Sequence, residues 1–366
     1  MADLRIEQLL RAMVENKASD LHIRTGVPPI YRINGALTKL FDTRIDASMM
    51  DSFLDDIMNR DQKNRFETNK ECDFAVGARD MGRFRVNVFR QRGTIAIVIR
   101  HIKAKIPAFE ELHLPEVIRD MALTRRGLVL VTGTTGSGKS TTLASMLDYI
   151  NQTEAVNIIT VEDPIEIIYT PKGCNITQRE LNNHTKSFTK ALRAALRQDP
   201  DVLLVGEVRD LETMQIALTA ADTGHMVFAT IHTTNATETI QRVLSMYPPH
   251  QHDEIRILLS EVLAGIISLR LLPTADGKGR VPAAEVLVNT AAIKEYIRDK
   301  DKLSLVEHAI AEGHMQYRSQ TFDQALLELY RTEQISLETA MNAATNKDDF
   351  DLKIRGISGT SDRGWM

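Results

Sequence analysis

The residues from Gly133 to Ser140 have the types and the spacing of a loop that binds phosphate groups. Its glycines would let successive backbone N–H groups turn toward phosphate oxygens, and a helix that starts at the loop would add its positive dipole end. Lys139 would place a positive charge beside the outer phosphates, and the Ser140 hydroxyl would bind Mg²⁺. The predicted phosphate-binding residues are Gly133, Thr134, Thr135, Gly136, Ser137, Gly138, Lys139, Ser140 and Thr141.

Two acidic segments follow this loop, and each stands at the end of an apolar run typical of a buried strand. The first contains Glu162 and Glu166, and the second is Gly206 followed by Glu207. Ligands of open α/β sheets bind at the carboxyl ends of strands, where ionised carboxylates can orient water or hold hydrated Mg²⁺. We therefore predict that Glu166 and Glu207 are catalytic groups that orient water or hold hydrated Mg²⁺ together with Ser140, and that Glu162 is a supporting residue or a cap. Gly206 stands where an aspartate often occurs in a Walker B strand.

Two histidines, His225 and His232, bracket the apolar run 226–231. Their position beside the acidic strand ends favours a role as phosphate sensors, with a structural role as the alternative. Neither histidine has metal-ligand partners at suitable spacing, and the sequence predicts no zinc site.

Six arginines crowd the end of the first hundred residues. Arg83 and Arg85 are two positions apart and would share one face of a strand. Three interpretations stay open: a solvated face, a nucleic-acid patch in which Phe84 and Phe89 stack on bases, or arginine fingers that reach a phosphate in another subunit. The six are Arg79, Arg83, Arg85, Arg90, Arg92 and Arg100.

Unbroken apolar runs separated by helical patterns surround these motifs. Four such runs are 127–131, 156–161, 202–205 and 226–230. Continuous apolar strands that alternate with helices predict a parallel sheet covered on both faces, and the fold class is therefore α/β.

The pattern along the chain predicts two domains. Residues 1–102 combine helical and hairpin patterns, as in a small α+β domain. A linker follows at 103–115, and the phosphate-binding domain at 116–350 has a mostly helical carboxyl-terminal part. The glycine- and serine-containing segment 351–366 is expected to be a mobile tail.

Composition excludes several other classes of protein. The chain has 366 residues, 45 Lys and Arg against 49 Asp and Glu, and a formal net charge of −4, so it is no polycation built for nucleic acid. Two cysteines make neither a disulfide framework nor a four-cysteine zinc site. There is no signal-peptide pattern and no apolar run long enough to span a membrane, and we expect a cytoplasmic protein.

Several multi-residue motifs in a fixed order show a resemblance over nearly the whole chain. The sequence resembles the type IV pilus retraction ATPases, the PilT/PilU group of the type II/IV secretion ATPases. The resemblance is carried by the phosphate loop, the acidic segment 162–166 ("Asp box") and the segment 223–233 ("His box"). Further matching segments are 19–23, 82–87, 178–180, 197–201 and 205–213.

This resemblance implies a homo-hexameric motor that hydrolyses ATP with Mg²⁺ and retracts pili in twitching motility. Each subunit would pair a PAS-like amino-terminal domain with a RecA-like ATPase domain. ATP would lie between the two and be completed by a neighbouring subunit. The ring would act on an inner-membrane platform protein of the pilus, so the protein would be cytoplasmic and peripheral to that membrane.

The resemblance also suggests roles for single residues. Glu166 would activate water and Glu207 would help to hold Mg²⁺, although these two roles could be exchanged. Arg85 and Arg100 would contact phosphate, with Arg83 and Arg92 as the next candidates. Both histidines of the His box, His225 and His232, would sense the nucleotide.

Two departures from the retraction branch concern the carboxyl-terminal part. Residues 292–297 differ from the stretch that is usual there, and residues 320–330 look more like PilU, the accessory retraction motor. Two alternatives therefore stay open. The protein could be an ATP-binding accessory subunit that acts with a paralogous retraction ATPase, or a nucleic-acid translocase on the same core, which the net charge disfavours.

Overall fold

The computed structural model describes residues 4–33, 35–102, 106–181 and 183–356. The chain forms two compact units. The first is Met1–Lys105 with Pro164–Ile168, and the second is Ile106–Asp163 with Tyr169–Met366. Within the described ranges no helix is both long and apolar enough to cross a membrane.

The first unit combines three helices with an antiparallel sheet, which confirms the predicted small α+β domain. Six strands lie in the order β3-β2-β1-β6-β5-β4. In chain order the elements are α1 (Ile6–Glu15), β1 (Asp20–Arg24), β2 (Ile30–Ile33), β3 (Ala36–Lys39), α2 (Ala47–Ile57), α3 (Arg60–Asn69), β4 (Glu71–Ala78), β5 (Gly82–Gln91) and β6 (Thr94–Ile102).

Alternation along the strands gives this sheet one apolar and one polar face. In β5 the side chains of Phe84, Val86 and Val88 are buried in the core with α1 and α2, as period-2 patterning requires. Arg83 and Arg85 alternate with them, so they lie on the opposite face. The sequence pattern from 82 to 102 is confirmed as a hairpin of β5 and β6.

The second unit is built on a seven-stranded sheet in the order β13-β12-β7-β11-β10-β8-β9. Its elements to the end of the fifth strand are α4 (Val117–Ala122), β7 (Gly127–Thr132), α5 (Lys139–Thr153), β8 (Asn157–Glu162), β9 (Asn175–Glu180), α6 (Phe188–Ala195), β10 (Val202–Val205), α7 (Leu211–Asp222) and β11 (Met226–Ile231). The remaining elements are α8 (Ala236–Ser245), α9 (His252–Val262), β12 (Leu263–Pro273), β13 (Arg280–Val288), α10 (Ala291–Arg298), α11 (Val306–Glu312), α12 (His314–Tyr317), α13 (Phe322–Arg331), α14 (Leu337–Ala343) and α15 (Lys347–Ile354).

The four predicted apolar strands are all present and parallel. They are β7, β8, β10 and β11, and nearly every residue in them is buried. The sheet is mixed, however, because β13 pairs antiparallel with β12, which itself runs parallel to β7. Strands β9, β12 and β13 were not predicted from the sequence, and the parallel sheet that it predicted has one antiparallel strand, β13.

Two predicted boundaries differ from the structure. Residues 106–115 of the predicted linker belong to the second unit, because Phe109 is buried and the Ser145 hydroxyl of α5 donates to the Pro107 carbonyl at 2.9 Å. Helix α15 continues to Ile354, past the predicted start of the tail at 351, because its Phe350 is fully buried. Residues 103–105 and 357–366 lie outside the described residues.

Candidate active site

The phosphate loop lies between β7 and α5, where the sequence predicts it. Helix α5 begins at Lys139, with Gly138 as its N-cap at a φ of +104°, a conformation that favours glycine. The Lys139 ammonium is buried and donates to the carbonyls of Gly133 (2.8 Å) and Thr134 (3.0 Å). The loop therefore wraps around its own lysine and presents that cation at the start of a helix.

Close packing at Gly133 explains why no larger residue fits there. A Cβ atom at this position would lie 2.5 Å from both the Leu269 carbonyl oxygen of β12 and the Ser137 hydroxyl. The Ser137 hydroxyl is itself buried, and no hydrogen-bond partner for it occurs in the described part of the chain. Together with the start of α5 this arrangement fits an anionic phosphate, which accepts hydrogen bonds from such donors.

The order of the strands places the other candidate residues beside this loop. The central run β7-β11-β10-β8 is parallel, so its four carboxyl ends meet at one edge of the sheet. The phosphate loop follows β7, His232 follows β11, Glu207 follows β10 and Glu162 ends β8. Open α/β sheets bind their ligands at this edge, so the candidate residues lie where a ligand would be expected.

Glu207 is the most strongly partnered acidic group at the edge. Arg209 lies 2.7 Å from one carboxylate oxygen of Glu207, and His232 Nε2 lies 3.3 Å from the other. Burial alone raises the pKa of Glu207, but the hydrogen bond and charge of Arg209, with smaller contributions from His232 and Lys139, outweigh it and hold the pKa below its ordinary value. Glu207 is therefore a fixed negative charge at neutral pH.

Tight strand packing accounts for the glycine before Glu207. A Cβ atom on Gly206 would lie 3.0 Å from the Val161 carbonyl oxygen and 3.1 Å from the Glu162 Cα atom of β8. The backbone of Gly206 also donates to Val161 and accepts from the Thr230 hydroxyl at 2.6 Å. Any side chain at this position would therefore require the backbone of β8 to shift by a few tenths of an ångström.

Glu162 is buried at the end of β8 and is held by its neighbours. The Thr160 hydroxyl donates to its carboxylate at 2.6 Å and the Gln178 amide donates at 3.2 Å. These contacts support the interpretation of Glu162 as a supporting residue. The neighbouring Asp163 accepts a hydrogen bond from Arg209 at 3.3 Å, so Arg209 connects the two acidic segments.

The two histidines lie at opposite edges of the sheet. His232 lines a cleft of about 400 Å³ with Glu207, Arg209 and Arg242. His225 precedes the first residue of β11, beside the start of β7, and its ring contacts the Ala220 carbonyl at 2.9 Å. Since the strand between them rises by about 20 Å, His225 cannot contact the phosphate loop of its own subunit. The prediction that both histidines lie beside the acidic strand ends is wrong for His225.

Glu166 is an exposed residue of the loop that follows β8, in the segment Pro164–Ile168 that groups with the first unit. The adjacent Ile165 is buried and fixes one side of this short segment. The predicted role of Glu166 in activating water stays a prediction.

Arg85 and Arg100 are directly opposite each other on β5 and β6 of the first unit. Each contacts a carboxylate of the same unit: Arg85 pairs with Asp73 at 2.5 Å, and Arg100 pairs with Asp20 at 2.9 Å. Two thirds of the Arg100 side chain is exposed. The structure thus places these two arginines side by side on the polar face of the sheet, and their predicted phosphate contact stays a prediction.

The donor set at the edge fits Mg²⁺ bound together with phosphate. This ion is commonly held by one or two protein oxygens, with substrate phosphates and water completing the octahedron. Ser140 is exposed at the start of α5, and the Glu207 carboxylate is ionised. Across the described ranges no group of three or more His, Cys, Asp or Glu side chains could hold a metal ion by itself.

Sequence analysis gave no role to Arg209, although it bridges Glu207 and Asp163. Its spacing of two residues from Glu207 was the available signal, because side chains two apart in extended backbone share a face. The buried Glu285 of β13 was also missed; its signal was a lone acidic residue in an apolar run.

The chain matches the family model described as "Type II/IV secretion system protein" over residues 3–337. It is 44% identical to the type IV pilus retraction ATPase PilT of Pseudomonas aeruginosa, over 94% of this chain and 99% of that protein. It is 42% identical to the type IV pilus ATPase PilU of the same organism, over 96% of this chain and 92% of that protein.

A solved structure is also similar along nearly the whole chain. The crystal structure of the pilus retraction motor PilT with bound ADP superposes with a TM-score of 0.88 at 46% identity. The superposition covers 94% of this chain and 98% of that one.

Proposed function

This chain belongs to the family of type II/IV secretion system proteins, and we propose that it is an ATP-hydrolysing motor of type IV pilus retraction. The observation that carries the proposal is the sheet edge at which a phosphate loop, an ionised Glu207 and His232 meet. The similarity to PilT and PilU supports the same function, because both of these relatives are pilus ATPases. The protein is an ATPase, and its work is retraction in twitching motility.

In the proposed reaction the phosphate loop binds the phosphates of ATP through its backbone N–H groups. Lys139 is already buried in the loop and stabilises negative charge that develops on the outer phosphate. Ser140 and Glu207 would hold Mg²⁺, partly through water, and the ion would supply positive charge that neutralises the phosphates. His232 lies 3.3 Å from Glu207 and responds to the presence of the outer phosphate.

Glu166 supplies the general base in this proposal. It accepts a proton from water that attacks the outer phosphate, and its exposed position leaves it free to approach substrate. Replacing Glu166 by glutamine should abolish turnover and leave ATP affinity unchanged. The opposite pattern, normal turnover in E166Q, would assign the water-activating role to Glu207.

Arg85 and Arg100 complete the site from a neighbouring subunit in the proposed homo-hexamer. Their guanidinium groups are already presented side by side and would exchange the carboxylates of Asp73 and Asp20 for phosphate oxygens. Opening and closing of such shared sites would drive an inner-membrane platform protein of the pilus. A paralogous retraction ATPase is the second proposed partner.

The proposal is tested by replacing the chromosomal gene of a piliated host with the E207Q variant. We expect twitching zones to disappear while surface pili accumulate, because assembly continues without retraction. Normal twitching, with a normal number of pili, would contradict the proposal. Loss of twitching that overexpression of a paralogous motor restores would assign the accessory role. ATPase activity that depends on added DNA would favour a translocase.

A further inference from the structure

The carboxylate of Glu285 is buried in the second unit and is not part of the sheet edge described above. Only 4% of the residue is exposed. One of its oxygens, Oε1, accepts from the Ala236 backbone N–H at 2.6 Å and from the Ser268 hydroxyl at 3.2 Å. Burial of a carboxylate costs free energy unless hydrogen bonds compensate for it. The contacts with Ala236 and Ser268 are therefore the features that need an explanation.

The register of the sheet aligns this carboxylate with the site. Glu285 on β13 is directly opposite Ser268 on β12, and Ser268 is opposite Thr132 on β7. Thr132 is in turn opposite Ile231 on β11. Thr132 immediately precedes the phosphate loop and Ile231 immediately precedes His232. Glu285 is therefore aligned across the sheet with the residues that precede the phosphate loop and His232.

The second partner of Glu285 lies just beyond His232. Ala236 is the first residue of α8, and its N–H has no acceptor within that helix. The residues between them are joined to α8 itself: the Thr233 hydroxyl contacts Thr239 at 2.7 Å, and the Asn235 side chain accepts from the N–H of Glu238 at 2.8 Å. The Glu285 bond instead joins the start of α8 to the sheet.

We propose that Glu285 is a positioning residue that holds the His232 segment in register with the phosphate loop through its bond to Ala236. The strand ladder fixes the phosphate loop and β12 without Glu285, whereas Glu285 gives the start of α8 a direct hydrogen bond to the sheet. Loss of this bond should therefore misplace His232 and lower kcat, with little change in the KM for ATP. This inference rests on the role proposed above for His232.

The test compares two substitutions of Glu285, one that preserves the length of the side chain and one that preserves its charge. Glutamine in E285Q keeps the length and an acceptor oxygen, while aspartate in E285D keeps the charge but ends about 1.5 Å short. We expect kcat of E285Q within threefold of wild type, and kcat of E285D lower by about 10- to 100-fold, because misplacement of 1 Å can have that effect. The KM for ATP should change by less than threefold in both variants.

A double substitution separates positioning from general destabilisation. If Glu285 acts through His232, E285D should not lower kcat further in the H232A protein. An E285D protein with wild-type kcat, or equal losses from E285D in both backgrounds, would overturn the inference. If H232A alone leaves kcat unchanged, the proposed role of His232 fails instead. If E285D is misfolded, as judged by its elution volume, S268A is used as the second variant. We then expect S268A to lower kcat in the wild-type background but not in the H232A background.

Discussion

At the scale of single residues, Glu207 owes its position and its charge to its neighbours. Arg209 binds one carboxylate oxygen and His232 faces the other. The depressed pKa of Glu207 keeps the carboxylate ionised at every pH near neutrality. A glutamate held in this way can take part in cation binding without first losing a proton.

The two histidines should differ sharply when each is replaced by alanine. H232A removes the side chain that faces Glu207 and should lower kcat by about 10- to 100-fold, in the range of a lost site contact. H225A removes a ring that contacts Ala220 at the other edge of the sheet, so kcat should stay within threefold of wild type. Steady-state ATPase assays at saturating ATP measure both values. Equal losses in the two variants would contradict the placement of His225.

The positions of candidate site residues could be predicted where these residues belong to one continuous sequence motif. The phosphate loop and the acidic strand ends are continuous segments, and their positions follow from strand direction alone. The position of His225 was predicted wrongly because β11 separates the two histidines. A residue that precedes a parallel strand lies at the opposite end of the sheet from the site, and only a residue that follows the strand lies beside it. The link between Arg209 and Asp163 was missed because these two residues are 46 positions apart in the sequence.

At the scale of elements, β13 and β12 connect the site with the carboxyl-terminal helices. Glu285 has a pKa raised to about 7, first of all by burial and further by Glu307, while bonds from Ala236 and Ser268 and the charge of Arg270 lower it. The sheet thus contains a carboxyl group that titrates near neutral pH.

The stability of the second unit should depend on pH through Glu285. Its folded pKa of about 7 lies above the ordinary value of 4.5, so the folded chain holds an extra proton between these values. The free energy of unfolding therefore falls as pH rises through this window, by about 3 kcal/mol for the full shift. Because glutamine does not titrate, E285Q should gain in melting temperature relative to wild type between pH 5 and pH 8.

The matched control is E328Q, which removes an exposed glutamate from α13. Its melting temperature should follow that of wild type at both pH values. A constant difference between E285Q and wild type from pH 5 to pH 8 would show that Glu285 does not titrate there.

Strand β12 was not predicted because its sequence does not separate it from the preceding helix. Strand β12 follows α9 without a break, since Leu263 is both the C-cap of the helix and the first residue of the strand. Short apolar runs do not separate helix from strand by periodicity, and no glycine or proline marks this boundary. The four predicted strands β7, β8, β10 and β11 were found because each is a continuous buried apolar run.

At the scale of the whole molecule, the candidate residues are divided between the two units of the chain. Lys139 and Glu207 belong to the second unit, whereas Arg85 and Arg100 belong to the first. Sequence patterns predicted the fold class of each unit, but subunit assembly leaves no signature in hydrophobic periodicity. The hexamer is therefore inferred from the resemblance and from the need for phosphate-binding arginines.

Mixed assemblies test whether the arginines act between subunits. R100A and K139A should each be inactive when pure. Mixing them should restore part of the activity, because an R100A phosphate loop then meets an intact Arg100 from a K139A subunit. The ATPase rate of the mixture, measured after exchange of subunits, should clearly exceed the sum of the two pure rates. A rate equal to that sum would show that Arg100 serves its own subunit or none.

The most direct measurement is ATPase activity across a size-exclusion profile, for wild type and E207Q, with the mass of each fraction measured by light scattering. We expect hydrolysis only in the fraction with the mass of six chains. E207Q should give the same profile with activity lower by at least about 100-fold, as for loss of a key charge in the site. A monomer fraction with full specific activity, or an E207Q hexamer with wild-type turnover, would contradict a ring motor that uses this site.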